Sequence, residues 1–69
     1  MTDHVYKQIE LTGSSAKGSD DAIRIAIAKA AKTIHNMRWF QVVESRGLID
    51  KGAVAHWQVT IKVGFSLDD

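Results

Sequence analysis

From Ala55 to Leu67 the chain alternates, with Ala55, Trp57, Val59, Ile61, Val63, Phe65 and Leu67 on one parity and His56, Gln58, Thr60, Lys62 and Ser66 on the other. A period of two is that of a strand with one covered face. So long an apolar row cannot stay in water, and the rest of the chain must supply its cover.

The cover is a helix read from Asp20 to about His35, alanine-rich and without breakers. Ile23, Ala26, Ile27, Ala30 and Ile34 fall on one stripe at helical spacing, which should lie on the sheet. Arg24, Lys29 and Lys32 lie away from the stripe and read as a solvated face. Ile25 also points away from it, to the helix edge or to another subunit. Ser19 is the expected N-cap, followed by Asp20 and Asp21 at the positive end of the helix.

Before the helix, Val5, Ile9 and Leu11 alternate with Tyr6, Gln8 and Glu10 as a first strand, which Thr12-Gly13-Ser14-Ser15 is expected to end. Gly13, Gly18 and Ser19 have the spacing of a phosphate-binding loop, but the lysine after the second glycine is missing, so a plain turn is the reading. After Asn36, expected to end the helix, a second strand runs from about Met37 to Ile49, with a bulge or bend expected at Gly47. Asp50-Lys51-Gly52 is a short turn, which makes strands two and three an antiparallel hairpin. The fold class is therefore α+β in the order β-α-β-β: a three-stranded antiparallel sheet with one helix on one face, as a single domain over residues 1–69.

At 69 residues such a domain leaves much of its surface uncovered, and with no cysteine it has neither disulfides nor thiolate metal sites to help. Oligomerisation is the remaining route. A net charge of +1 gives no broad field for nucleic acid or an anionic membrane. Met1 is followed by polar residues rather than a basic and apolar leader, and no apolar run is long enough to span a membrane, so a cytoplasmic protein is expected.

Trp39 and Phe40 are adjacent on strand two, so only one can face the helix. Parity places Phe40 and Val42 beneath the helix and Trp57 in the core. Trp39 then shares the helix-free face with Gln58, unless a bulge shifts the register. An indole on an open sheet calls for a subunit interface or a flat ligand, and residue types alone leave both open.

Elsewhere the chemistry is sparse. His4, His35 and His56 have no metal-ligand spacing, no motif frames a serine nucleophile, and Glu10, Glu44 and Asp50 form no recognisable pair. Nothing argues for hydrolysis or acid-base catalysis. What remains is Trp39 to stack on a planar ring, Gln58 to meet its polar edge, and Glu44 and Arg46 to hold a hydroxylated or phosphorylated tail.

Over nearly its whole length the sequence resembles the dodecins, a family of small flavin-binding proteins. The resemblance is carried in order by residues 5–15, Asp21-Ala22-Ile23, Arg38-Trp39-Phe40, Arg46-Gly47, Gln58-Val59 and Lys62-Val63-Gly64-Phe65. It implies a subunit that assembles as a hollow homododecamer, with flavins bound in pairs near two-fold axes between tryptophans of two subunits. Trp39 stands at the tryptophan position and Gln58 at that of the ring-edge glutamine. Glu44 and Arg46 are implied contacts to the ribityl or phosphate part, with a strand-edge ion pair or a subunit salt bridge as the alternative, and Arg38 a contact through its backbone.

Two departures bear on the ligand. Gln41 stands where many members have glutamate, and Ser66 where some that bind the phosphorylated flavin have arginine. Arg46 is left to grip a phosphate, so the resemblance implies FMN first and riboflavin next. Some bacterial members also bind coenzyme A, for which no residue here is assigned. The expected function is a non-enzymatic flavin store that quenches flavin photochemistry. A flavin-dependent oxidoreductase and a ligand-free oligomerisation module are the rivals.

Overall fold

The computed structural model describes residues 3–67. It contains β1 (Tyr6–Ser15), α1 (Ser19–Ala30), β2 (Met37–Asp50) and β3 (Ala53–Ser66), in one antiparallel sheet of order β1-β3-β2. The expected β-α-β-β fold is present, with the most regularly patterned strand at its centre. Met1 and Thr2, on which the expectation about a leader partly rests, lie outside the described residues. No helix among those described is long and apolar enough to cross a membrane.

The core is where α1 crosses β1 and β3. Val59, Ile61 and Val63 are buried on the sheet side and Ala22, Ala26 and Ala30 on the helix side, with Ile9, Leu11, Ile23, Ile27 and Met37 around them. Ala22, one turn before Ala26, extends the expected stripe back beyond Ile23. Small helix residues let the backbones approach closely, and Gly13 allows the closest approach: a Cβ there would lie 2.1 Å from the Ala22 carbonyl oxygen. Gly13 therefore does not end β1. It pairs with Val59, and the strand continues to Ser15 because its missing side chain makes room for the helix.

The helix start also differs from expectation. Gly18, not Ser19, is the N-cap, and no side chain caps the helix. Instead Ser15 Oγ donates to Asp21 Oδ2 at 2.7 Å and accepts from the Lys17 N–H at 2.9 Å, tying the helix start to the end of β1. At the other end α1 stops at Ala30. Lys32 and Thr33 donate to the carbonyls three residues back, tightening the chain into a turn. Asn36 (φ 65°) belongs to the entry into β2 rather than to the helix end.

A helix of 12 residues spans about 18 Å. Strands of 14 residues run to about 46 Å, so α1 covers only part of the sheet. Beyond the Ser15–Trp57 pair, β2 and β3 continue as a two-stranded ribbon closed by Lys51 and Gly52, both with the positive φ that a tight hairpin turn favours. Along β2 every residue but Met37 is exposed, including Phe40, Val42, Val43, Leu48 and Ile49. Phe40 and Val42 take the helix side of the sheet as expected, but α1 packs on β1 and β3 and leaves the β2 edge uncovered. Trp57 is likewise half-buried, beside Lys17, Asp20 and Arg24 at the helix start, rather than core.

The radius of gyration is 14.4 Å, where a compact domain of this length would have about 11 Å. The surface of 5130 Å² likewise exceeds the roughly 4,300 Å² of a monomer of this mass. Each fully buried aliphatic side chain contributes about 1.5–3 kcal/mol, and among the described residues only Val59, Ile61 and Val63 qualify as large ones. Against about 1–2 kcal/mol of backbone entropy per ordered residue, so small a core is a weak basis for an isolated subunit.

Candidate functional site

Three register shifts shape the β2–β3 pair, and none falls at Gly47. Met37 faces Phe65 while Trp39 faces Gly64, so Arg38 is an extra residue. Val42 faces Ile61 while Glu44 faces Thr60, so Val43 is another. A third shift, between Leu48 and Ile49, puts the extra residue on β3. Gly47, the expected bulge, pairs in register with Trp57, and a Cβ on it would sit 3.2 Å from the His56 carbonyl oxygen.

The extra residue at Val43 decides which side chains share a face. Unbroken alternation from Trp39 would send Val43 and Ser45 to the open face and Glu44 and Arg46 beneath the sheet. With Val43 extra, Glu44 pairs with Thr60 and Arg46 with Gln58, so both join Trp39 and Gln41 on the helix-free side. Arg46 Nε donates to Gln58 Oε1 at 3.2 Å. The Arg46 guanidinium also approaches Glu44 Oε1 at 3.9 Å, with both side chains more than half exposed. An exposed pair at that distance holds the guanidinium loosely. The Gln58 oxygen is engaged by Arg46, which leaves its amide N–H groups as the donors it can offer a ligand.

Trp39 stands apart from this group. It faces Gly64, six β3 positions from Gln58, or about 20 Å along the strand. Trp39 and Gln58 thus share a face, as expected, but one chain does not bring them to one ring. Parity assigns faces; register assigns distance along the strand.

The indole lies across the Gly64 backbone: a Cβ on Gly64 would be 2.1 Å from Trp39 Cζ2 and 2.2 Å from Cε2. Tyr6 of β1 meets it edge-on, with ring centroids 4.9 Å apart and planes at 68°. Trp39 remains 40% exposed, which leaves indole surface open to solvent. Arg38 lies beside it on the rim of a shallow apolar cleft of about 180 Å³, lined also by Ile27, Met37, Phe40 and Val63. Tyr6 and Gly64 carried no functional reading in the sequence. Only the β1-β3-β2 order places them beside and beneath the indole.

Ser66 is buried at the end of β3, where its N–H donates to the Asn36 carbonyl at 3.0 Å, and it supplies no charge. Thr12 and Thr60 share a hydroxyl hydrogen bond of 2.8 Å across the open face. Among the described residues no group of three or more His, Asp or Glu side chains converges as metal ligands.

A family model described as Dodecin matches residues 5–68. A dodecin of Thermus thermophilus is 45% identical over 65 residues, which cover 94% of each chain. Among solved structures, a dodecin from Streptomyces davaonensis is similar at a TM-score of 0.93 and 50% identity, covering 99% of this chain and 100% of its own. One from Streptomyces coelicolor reaches the same TM-score at 43% identity, covering 100% of this chain and 99% of its own.

Proposed function

The chain belongs to the dodecin family, and from that membership and the geometry of its open sheet face we propose that it is a flavin store, holding FMN, or riboflavin, against Trp39 in a homododecameric shell. The observation that carries this reading is the indole laid on Gly64, backed by strand on one side and open on the other. A planar ring can stack on such a face, and two such faces brought together can enclose a pair of rings.

Trp39 and Gln58 lie about 20 Å apart in one chain, so a ring stacked on Trp39 meets Gln58 only from a second copy. The bare edge of β2 and the apolar side chains exposed along it supply the reason for copies to associate. In that pairing Gln58 offers amide N–H donors to the ring's carbonyl edge, with its oxygen already engaged by Arg46. Arg46, held loosely by Glu44, can turn toward a phosphate, and Glu44 can accept from ribityl hydroxyls. Arg38, extra in the strand beside Trp39, has its backbone free of regular pairing with β3 and can contribute through it. Coenzyme A is a second ligand in this reading, with no residue assigned to it.

The bound flavin would supply a light-absorbing, readily reduced ring. Trp39 would lend an electron to the excited ring and take it back, so that neither is left oxidised or reduced, and the stacked indole would exclude water from that face. No turnover is required, and a ring enclosed between indoles leaves little face for a second substrate.

Releasing small molecules from freshly purified protein by heat or acid, and identifying them by mass, tests the proposal. FMN or riboflavin is the expected product. A protein that releases no flavin and takes up neither when supplied would instead support an oligomerisation module in which Trp39 packs against another subunit.

A further inference from the structure

Tyr6, Gly64 and Trp39 come from β1, β3 and β2, and they meet only because the central strand carries no side chain at Gly64. Tyr6 pairs with Ser66, two positions along β3 from Gly64 and on the same face, so the indole of Trp39 can cross the bare backbone and reach the phenol ring. The contact is edge-on, at 4.9 Å and 68°, a geometry that aromatic quadrupoles favour. Without it the indole would lose the ring contact that limits rotation about its side-chain torsions.

We infer that Tyr6 is a positioning residue for flavin binding: it acts through Trp39, fixing the indole flat across Gly64 so that the stacking face is presented before the ligand arrives. The inference rests on the flavin reading of Trp39. Preorganisation of this kind strengthens binding because the side chain's freedom is lost on folding rather than on binding. The hydroxyl has no part in the role, since the contact is made by the ring.

Trp57 lies outside the site, so a Trp57→Phe parent leaves Trp39 as the sole fluorescent indole. In that parent, Tyr6→Phe, Tyr6→Leu and Tyr6→Ala are compared by time-resolved fluorescence anisotropy of the flavin-free protein and by FMN titration. Tyr6→Phe should match the parent in both. Tyr6→Leu, which keeps apolar bulk, and Tyr6→Ala should both show fast, wide-angle indole motion and a roughly 2- to 10-fold weaker FMN affinity. A Tyr6→Leu protein with an indole as still as the parent's and unchanged affinity overturns the inference, as does a Tyr6→Phe protein that behaves like Tyr6→Ala. Failure of the parent to bind FMN or riboflavin at all would overturn the flavin reading instead, and the anisotropy series would still report whether Tyr6 orders the indole.

Discussion

Replacing Gly64 by alanine tests the site where its geometry is tightest. The added Cβ would lie 2.1, 2.2 and 2.5 Å from Trp39 Cζ2, Cε2 and Cη2, against the 3.5–4.0 Å that carbon atoms prefer, so the indole must retreat by about 1.4 Å or swing off the strand. Trp39 is 40% exposed and can yield toward solvent. Destabilisation should therefore stay near the low end of the roughly 1–3 kcal/mol of overpacking. Ligand binding should suffer more. Stacking of a nucleobase on an aromatic side chain is worth about 1–3 kcal/mol, and a similar term lost here would weaken FMN roughly 5- to 150-fold. Fluorescence titration of FMN measures this directly. The same substitution in a Trp39→Ala background should have little further effect, because the two changes act on one contact. A folded Gly64→Ala protein with wild-type affinity would refute the reasoning, as would an equal loss in the Trp39→Ala background.

Three other perturbations separate the parts of the site from the parts of the fold. Arg46→Ala should weaken FMN about 10- to 100-fold while changing riboflavin little, since a charge-assisted phosphate contact is the difference between them; equal losses by titration would contradict a phosphate role. Deleting Val43 should turn Glu44 and Arg46 beneath the sheet and reduce FMN affinity at least as far as Arg46→Ala, with the circular dichroism of the sheet retained; unchanged affinity would contradict the bulge's role. Gly13→Ala should lower stability by about 1–3 kcal/mol, because the clash is with the Ala22 backbone and neither element can yield cheaply. Denaturation at fixed protein concentration would show this, and an unchanged midpoint would contradict the packing described.

Local chemistry made the elements legible in the sequence. The alternation around Val59, Ile61 and Val63 identified the central strand, and Lys51-Gly52 identified the hairpin. The adjacency of Trp39 and Phe40 separated open face from helix face. What stayed hidden depends on other parts of the chain. Nothing distinguishes Val43 from its β-branched neighbour Val42, whereas Gly47 carries the usual mark of a bulge and yet pairs in register. Trp57 has the parity of a core residue, but parity is silent on how far a 12-residue helix reaches. The run Lys32-Thr33-Ile34-His35 contains no breaker, and only the need to turn back into β2 ends the helix at Ala30. Tyr6 reads as an ordinary strand residue until the strand order places it against Trp39.

The most direct measurement follows FMN and riboflavin fluorescence as wild-type protein and Trp39→Ala are added in turn. If Trp39 is the stacking and quenching residue, wild type should extinguish the emission saturably, and Trp39→Ala should lose most of both binding and quenching. Equal binding and quenching by the two proteins would contradict the role assigned to Trp39, and undiminished emission with wild type would contradict flavin storage itself.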